Sequence, residues 1–487
     1  MEKKNVGFAS GIGFILSAAG SAVGLGNLWA FPYKTAKNGG SAFVFMYIIC
    51  VIVIGFIAMI CEIHIGKRAK ANTVSAYKKA NKNIGWFGLL ALLIPFFITC
   101  YYSVLGGYTI KYAVSSFAGN SGILESFSTN IPQVTIFSGV FIALAVFVIS
   151  CGVKDGIEKM SKVLMPMLFI ILLGVVVYSL CLGEGVKTGL KFYLYPDFSH
   201  ITFNSVLASM SQAFYSLSIG MGILVSYGSY TGKEINIVRS TFMICLFDTV
   251  VALLSGLAIF PAVAHFDPSL LESSAGIGLI FAILPDVFSS MGIVGTLISF
   301  MFFAMVAIAA LTSVISLIEV TTQFVIQRYK VSRKSASLII TAVCFAVSVP
   351  IGISLGKVGI CGKSGLSIFG LDYLTFLDEV TNTVVMPVVA FLSCITVGWI
   401  ITPKVAIAEM EAEGSKLGWI KKVFGIMVRY ITPALIIVVE IGGVAEKLRS
   451  KQYGVVGVAY TLIIVSAIIY YIFFRNSDAG TNADEAV

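Results

Sequence analysis

A cluster of glycine and asparagine interrupts the first long apolar segment of the chain. Gly20, Gly24, Gly26 and Asn27 stand near the middle of residues 11–35. Because glycine destabilises a helix interior by roughly 1 kcal/mol relative to alanine, this spacing predicts a broken helix. The backbone amides and carbonyls freed at a break bind a carboxylate and a small cation, and an asparagine oxygen adds a further ligand. The alternative is a glycine-rich packing face for a neighbouring helix.

The sixth apolar segment carries a similar interruption. Small and polar residues run from Ser209 to Gly222 within residues 203–229. Glycine-interrupted segments at corresponding positions of two halves are typical of transporters built from inverted repeats. Segments 1–5 and 6–10 are the predicted repeats, since an odd number of spans inverts the second copy.

Four further polar sites lie inside apolar segments. Asp248 is a candidate functional carboxylate, and the alternative is a position near the cytoplasmic end that water reaches. Tyr102 needs a hydrogen-bond partner, which a substrate carboxylate or an ordinary core contact would supply. Thr312 and Ser313 either bind a cation or bond back to carbonyls one turn earlier. Glu62 is expected to pair with exposed backbone amides.

The composition indicates the kind of protein that positions these groups. The 487 residues are 58% hydrophobic and 12% charged, with a mean hydropathy of +0.96. A soluble protein of this length does not bury so much apolar surface. We predict an all-α integral membrane protein with twelve transmembrane helices, of which helices 1 and 6 are broken. The segments are roughly 11–35, 41–66, 86–117, 134–151, 162–182, 203–229, 238–264, 292–328, 335–354, 368–402, 423–446 and 453–474.

Basic residues give the expected orientation. They are concentrated in residues 67–82, 154–162, 328–334 and 404–429. Twelve spans place all four clusters on one side, so both termini are expected in the cytoplasm of a cell inner (plasma) membrane, with membrane lipid as a partner. The net charge of +9 is scattered over short loops, which argues against nucleic acid binding. One domain is expected over 1–475, followed by a disordered tail at 476–487.

Motifs for catalysis are absent from the sequence. It contains no Walker A loop, HExxH helix or GxSxG elbow. Its nine cysteines and three histidines show no metal-ligand spacing. We therefore do not expect an enzyme.

Several motifs together resemble the neurotransmitter:sodium symporter family, in its bacterial amino-acid branch. They are Gly-Leu-Gly-Asn-Leu-Trp and Phe-Pro-Tyr in segment one, Gln212 to Gly222 in segment six, and Leu-Thr-Ser in segment eight. The resemblance covers about residues 7–474. It implies a 5+5 inverted repeat at about 7–182 and 203–402, followed by helices 11 and 12 at about 423–474.

The resemblance also implies two sodium ions beside a central amino acid. The first sodium site would use Ala22, Asn27, Ser216 and Asp248. The second would use Gly20, Val23, Ala309, Thr312 and Ser313. The implied substrate-binding residues are Ala22, Leu25, Gly26, Ile98, Tyr102, Phe214, Tyr215, Ser218, Met221, Ser316 and Leu317.

Differences from the family narrow the implied substrate and ions. Monoamine carriers of the family have at position 24 an aspartate that replaces the carboxylate missing from their substrates. This chain has Gly24, so its substrate is expected to contain a carboxylate. Met221 is adaptable and the pocket is otherwise apolar, which favours a neutral hydrophobic or aromatic amino acid. Asp248 stands where asparagine is frequent, and Ala252 stands where chloride-dependent members have serine. A fixed carboxylate would replace chloride, so transport is expected to be chloride-independent.

Both gate ion pairs of the family are expected to be missing. Ala30 replaces the outer arginine, and our alignment places Thr381 at the position of its aspartate. Asn5 and Gln327 replace the inner pair. The outer side would then close with an aromatic lid of Tyr102 and Tyr215.

The leading hypothesis is sodium-coupled amino acid uptake by alternating access. One alternative is a sodium-independent amino acid transporter of the same fold. Another is a channel or a transporter-like sensor, which the altered gates make conceivable. The sequence does not specify the amino acid, the sodium stoichiometry, proton antiport or the oligomeric state.

Overall fold

Helices make up most of the part of the chain that the structure describes. The computed structural model describes residues 7–118, 122–195, 197–273, 278–356, 366–415, 417–418 and 420–477, which are helical or irregular apart from one antiparallel bridge between Ile368 and Leu371. Within these ranges, ten helices are long and apolar enough to cross a membrane, and a pair bent by 47° makes an eleventh span. We count as the twelfth a second pair, Phe203–Ser216 and Ile223–Ser229, which occupies the predicted sixth segment.

The twelve spans are labelled α1 to α12 in chain order. Their bounds are Gly11–Ala22 with Gly26–Lys37 (α1), Ser41–Ala69 (α2), Gly85–Ala118 (α3), Ile131–Ser150 (α4), Val153–Leu180 (α5), Phe203–Ser216 with Ile223–Ser229 (α6), Ile237–Phe266 (α7), Gly292–Tyr329 (α8), Arg333–Ser354 (α9), Tyr373–Ile401 (α10), Lys421–Arg449 (α11) and Tyr453–Phe474 (α12). The predicted fold class is thus confirmed, with α1 and α6 as the broken helices. From residue 478 onward, the predicted disordered tail lies outside the described residues.

Polar caps fix where several spans begin. The Ser10 hydroxyl accepts a hydrogen bond from the Gly13 amide at 3.0 Å at the start of α1. At the start of α7, the Asn236 side chain accepts one from the Arg239 amide at 2.9 Å. Each cap satisfies one of the amides that a helix start leaves without an intrahelical partner.

The two breaks have different backbone conformations. The first half of α1 ends at Ala22, and the next residue, Val23, is extended with φ −72° and ψ 94°. The break in α6 contains three residues of positive φ, namely Ser218 at 54°, Gly220 at 82° and Gly222 at 68°. Glycine adopts this conformation freely, whereas a serine does so at a steric cost. The sequence Ser-Ile-Gly-Met-Gly therefore explains why α6 stops and restarts here.

Close helix packing holds the second half of α6 against α2. A Cβ atom on Gly66 would lie 1.9 Å from the Val225 carbonyl oxygen, and one on Gly228 would lie 2.4 Å from the Ile63 carbonyl oxygen. Only glycine at both positions permits this approach, which is the small-residue packing typical of membrane helices. The packing brings the break in α6 beside the middle of α2.

The outer helices present apolar side chains to their surroundings. Exposed examples are Ile136 on α4, Ile170 on α5, Phe242 on α7, Leu338 on α9 and Ile464 on α12. Such a surface requires a hydrocarbon environment rather than water. By contrast, α3 and α8 are mostly buried and form the centre of the bundle together with α1 and α6.

Candidate functional site

A small cavity lies between the breaks of α1 and α6. Its volume is about 20 Å³, which is room for one water molecule. Side chains of α3 and α8 complete its wall. The lining residues are Ser21, Ala22, Gly26, Ile98, Tyr102, Tyr215, Ser218, Met221, Ile223, Ser313 and Leu317.

Most of the predicted substrate-binding residues meet at this cavity. Eight line it, namely Ala22, Gly26, Ile98, Tyr102, Tyr215, Ser218, Met221 and Leu317. Three do not line it, namely Leu25, Phe214 and Ser316. The Phe214 carbonyl accepts a hydrogen bond from the Ile219 amide at 3.1 Å, and the Ser316 hydroxyl is 2.7 Å from that of Ser21. These groups support the break instead of lining the cavity.

The backbone amide of Leu25 binds a tyrosine hydroxyl at one end of the cavity. The Leu25 amide donates a hydrogen bond to the Tyr102 hydroxyl at 2.9 Å, and both residues are buried. That amide lies at the start of the second half of α1, where the helix dipole favours an anion. A carboxylate entering here would meet two donors, the amide and the hydroxyl.

Asp248 forms a buried network with three polar side chains. Its carboxylate accepts hydrogen bonds from the Asn27 amide at 2.8 Å, from the Ser216 hydroxyl at 2.8 and 3.0 Å, and from the Tyr47 hydroxyl at 3.0 Å. Asp248 is fully buried, which excludes the alternative of a side chain wetted at a cytoplasmic end. Three of the four residues predicted for the first sodium site therefore meet, and Ala22 lies at the nearby cavity.

Oxygen atoms from α1 and α8 form a second cluster. The Ser313 hydroxyl donates to the Ser21 carbonyl at 3.1 Å and to the Gly20 carbonyl at 3.4 Å. The Thr312 hydroxyl donates back to the Ala309 carbonyl at 3.0 Å, which is the local bond named as its alternative role. Hydroxyls and carbonyls of this kind are the ligands of hard cations. Val23, the remaining predicted member, directly follows the first half of α1.

Gly24 leaves room for the groups that face it. A Cβ atom at this position would lie 2.3 Å from the Ser313 hydroxyl oxygen and 2.8 Å from that of Tyr102. Gly24 is therefore required by close approach at the site. A glycine-rich face that only packs against a neighbouring helix would not by itself explain a glycine between the Ser313 and Tyr102 hydroxyls.

Glu62 binds the second break, as predicted. Its carboxylate accepts a hydrogen bond from the Gly220 amide at 2.9 Å and one from the Ser393 hydroxyl at 3.2 Å. Glu62 is fully buried on α2. The carboxylate compensates an amide that the break in α6 leaves without a helical partner.

Sequence reasoning missed three residues of this region. Tyr47 reaches Asp248, Gln212 donates to the Gly26 carbonyl at 2.8 Å, and Ser21 lines the cavity. A tyrosine and a glutamine inside apolar segments were available signals, since a buried polar group requires a partner. Ser21 gave no signal beyond its neighbours.

An outer vestibule lies above Tyr215. Its volume is about 560 Å³, and its lining includes Lys34, Asp378, Glu379 and Tyr215. Ala30 and Thr381 leave the family's own gate positions uncharged, as predicted, but the vestibule carries charged residues at other positions. Lys34 lies one turn beyond Ala30, and Asp378 lies one turn before Thr381. The Thr381 hydroxyl instead bonds to the Leu377 carbonyl of its own helix at 2.8 Å.

Neutral contacts lie at the end of the bundle opposite this vestibule. The Gln327 side-chain oxygen accepts hydrogen bonds from the Asn72 backbone amide at 2.8 Å and from its side chain at 2.7 Å. The Phe8 ring packs edge-on against Tyr227 with ring centroids 5.4 Å apart. Asn5, the other predicted member of the inner pair, lies outside the described residues.

Known proteins share both the sequence and the fold. A model described as the sodium:neurotransmitter symporter family matches residues 6–130 and 129–475. A sodium-dependent transporter of Bacillus subtilis is 36% identical over 452 residues, covering 90% of this chain and 97% of that protein. One of Methanocaldococcus jannaschii is 30% identical over 498 residues, covering 97% and 96%. The crystal structure of MhsT in complex with L-phenylalanine matches with a TM-score of 0.82 and 32% identity, over 90% of this chain and all of that one.

Proposed function

Since the chain belongs to the sodium:neurotransmitter symporter family, we propose that it couples sodium entry to uptake of a neutral hydrophobic or aromatic amino acid. The family is one of multi-pass membrane transporters, so the prediction that the chain is not an enzyme is confirmed. One observation carries the proposal. The breaks of α1 and α6 meet at a cavity lined by Tyr102, whose hydroxyl accepts from the Leu25 amide, and Asn27, next to the lining residue Gly26, joins the buried Asp248 network.

The proposed first sodium ion lies between α1, α6 and α7. Asn27, Ser216 and Asp248 already form one network, and Ala22 lines the cavity beside it. A buried carboxylate is unfavourable unless it is paired with a cation or well hydrogen-bonded. Sodium would neutralise Asp248, and the substrate carboxylate would complete the ligand shell. Binding of the ion and of the amino acid would therefore support each other.

The proposed second sodium ion lies between α1 and α8. Its ligands would be the carbonyls of Gly20, Val23 and Ala309 with the hydroxyls of Thr312 and Ser313. The ion would replace the hydrogen bonds that these hydroxyls now donate to carbonyls. Because the site joins a broken helix to an unbroken one, occupancy would favour one arrangement of the two helices over another. That preference is what sodium coupling by alternating access requires.

The cavity supports an amino acid with a large apolar side chain. The Leu25 amide and Tyr102 hydroxyl would bind its carboxylate, and carbonyls around Ala22, Phe214 and Ser218 would accept from its amino group. Ile98, Met221 and Leu317 form the apolar wall. Methionine is flexible, so Met221 would move to admit side chains of different size. The related MhsT binds L-phenylalanine, a ligand of this class.

We further propose that chloride is not needed. The Tyr47, Ser216 and Asn27 side chains all donate to Asp248, which provides a fixed negative charge beside the proposed first ion. Ala252 on α7 is fully buried and offers no hydroxyl for an anion. At the first site one carboxylate would balance one sodium ion, so chloride would not be needed there.

The proposed location is the cell inner membrane, with both termini in the cytoplasm. The basic clusters of the short loops support this orientation. The exposed apolar side chains of the outer helices would contact lipid. A sodium-independent transporter would not need Asn27, Thr312 and Ser313 together, and a channel would not need a closed central cavity.

The test is uptake by the purified protein in liposomes. Labelled phenylalanine is supplied outside, with an inward sodium gradient, a potassium gradient or no gradient, and each of the twenty amino acids serves as competitor. We expect accumulation above the external concentration only with the sodium gradient, blocked by hydrophobic and aromatic amino acids. Equilibration that ignores sodium would exclude coupling, and linear uptake without saturation would indicate a channel.

A further inference from the structure

Tyr215 separates the central cavity from the outer vestibule. Its side chain lines both spaces and is 8% exposed. A substrate leaving outward must therefore displace this ring. Contacts that hold the Tyr215 ring in place therefore control outward release of the substrate. The side chains on the vestibule side of the ring can make such contacts.

Lys34 lies on the vestibule side of this ring. Its ammonium is 5.9 Å from the centre of the Tyr215 ring, within the range of a cation–π interaction. Lys34 comes from the second half of α1, whereas Tyr215 comes from the first half of α6. The contact therefore joins the outer parts of the two broken helices.

Two carboxylates of α10 line the same vestibule as Lys34. They are Asp378 and Glu379, and Lys447 of α11 is the nearby like charge. Glu379 already has a cationic partner, since its carboxylate is 2.6 Å from the Lys447 ammonium. Asp378 is held by neutral donors, namely the Tyr101 hydroxyl at 3.0 Å and the Asn382 amide. Asp378 is therefore the carboxylate available for Lys34.

The backbone of α10 is irregular just below Asp378. Residues Glu379–Val385 form a π-helix, with wider turns than the α-helix on either side. Such segments are frequent at functional sites because they allow local adjustment of a helix.

We propose that Lys34 and Asp378 form the outer latch of this transporter, with Lys34 covering Tyr215 and pairing with Asp378 when the vestibule closes. This proposal rests on the proposed transport function. In this proposal Lys34 is the positively charged residue of the outer gate. It lies one helical turn outward from Ala30, and Ala30 is buried and uncharged. Residues four apart lie on the same helix face, so the shift keeps the charge above the same ring.

Release of bound substrate is the sharpest test. Purified protein is loaded with labelled phenylalanine in sodium, diluted into excess unlabelled phenylalanine, and the dissociation rate is measured. We expect K34Q to release roughly three to ten times faster than the parent chain, since one cation–π contact and one ion pair are lost. K34R keeps the charge and should release within about twofold of the parent. K37Q is the matched control, because Lys37 is exposed three residues further along the same helix.

A double-mutant cycle tests whether the two charges meet. D378N should also speed release, and K34Q with D378N should be no faster than the faster single variant, because the pair is already broken. The exchanged pair K34D with D378K should recover slow release. Additive effects, or a K34Q variant that behaves like K37Q, would overturn the latch.

A second measurement does not depend on the substrate. Ser211 lines the vestibule, so S211C is alkylated with a membrane-impermeant maleimide in sodium alone and compared with the parent chain. The latch predicts faster labelling of S211C in the K34Q background than in the K37Q background, and equal rates would refute it. If phenylalanine does not bind but this difference appears, the proposed substrate is wrong and the latch stands.

Discussion

The Asn27 side chain ties the break in α1 to α7 through Asp248. Its amide nitrogen donates to the Asp248 carboxylate at 2.8 Å and to the Asp248 backbone carbonyl at 2.9 Å. The Asn27 oxygen meanwhile accepts from the Gly24 amide at 3.2 Å, inside the break. One side chain thus holds a broken helix to an unbroken one and leaves the Asp248 charge beside the cavity. Changes at Asp248 should therefore affect ions before they affect the fold.

Asp248→Asn is expected to lower sodium-dependent uptake at least tenfold. The substitution removes the fixed charge while keeping a side chain of similar size, and charged groups in buried networks contribute about 3 kcal/mol or more. The measurement is uptake against sodium concentration, with chloride or gluconate as the anion. The parent chain should work equally well in both anions, and a parent chain that stops in gluconate would exclude chloride independence. D155N changes an exposed carboxylate and serves as the control.

Tyr102→Phe should weaken substrate binding without abolishing folding. The change removes the hydroxyl that accepts from the Leu25 amide, and an unsatisfied buried amide costs about 1–3 kcal/mol. We expect the KM for the amino acid to rise roughly ten- to a hundredfold. Tyr112→Phe, further along α3, removes a hydroxyl that donates to the Phe281 carbonyl and should leave KM unchanged. Equal KM values for the two variants would remove Tyr102 from the proposed carboxylate site.

Gly24→Ala should disturb the centre of the site. The added methyl group would lie 2.3 Å from the Ser313 hydroxyl oxygen and 2.8 Å from that of Tyr102, so both hydroxyls would have to move. Overpacking of this kind costs about 1–3 kcal/mol, and it falls here on groups proposed to bind sodium and substrate. We expect sodium-dependent phenylalanine binding to fall at least tenfold. Gly11→Ala adds a methyl group where nothing lies within 4 Å, and normal binding is expected.

Thr312→Val and Ser313→Ala should each raise the sodium concentration needed for half-maximal uptake, by about tenfold. Both substitutions remove a hydroxyl proposed to bind the second ion, and a charged interaction of this kind contributes about 1.5–3 kcal/mol. Thr321→Val, two turns along α8, removes a hydroxyl that donates to the Ile318 carbonyl of its own helix at 2.9 Å. Its sodium dependence should match that of the parent chain. An unchanged sodium response in both test variants would argue against the second site.

The sequence predicted the breaks and the buried carboxylates because each violates a strong rule. Glycines inside an apolar helix and charges such as Asp248 and Glu62 are unfavourable, so their presence indicates a compensating partner. The structure supplies these partners, Asn27 for Asp248 and the Gly220 amide for Glu62. What the sequence could not predict was the direction of individual side chains. Leu25, Phe214 and Ser316 stand next to cavity residues along the chain but do not line the cavity.

The charged residues of the outer vestibule could not be found by comparing single sequence positions with the family. Residues three or four apart share one face of a helix, so a function can move by one turn without changing its place in space. Lys34 lies four residues after Ala30, and Asp378 lies three residues before Thr381. A comparison confined to positions 30 and 381 therefore missed both charges, which became visible only when the vestibule lining was known.

The position of Tyr215 between two spaces also has a pharmacological consequence. A molecule lodged in the vestibule would press on the same ring that bounds the transported amino acid below. Such a blocker would trap bound cargo instead of competing with it, so raising the amino acid concentration would not relieve the inhibition. A suitable inhibitor would be an aromatic molecule that stacks on the Tyr215 ring. It would carry a positively charged group toward Asp378 and a negatively charged group toward Lys34.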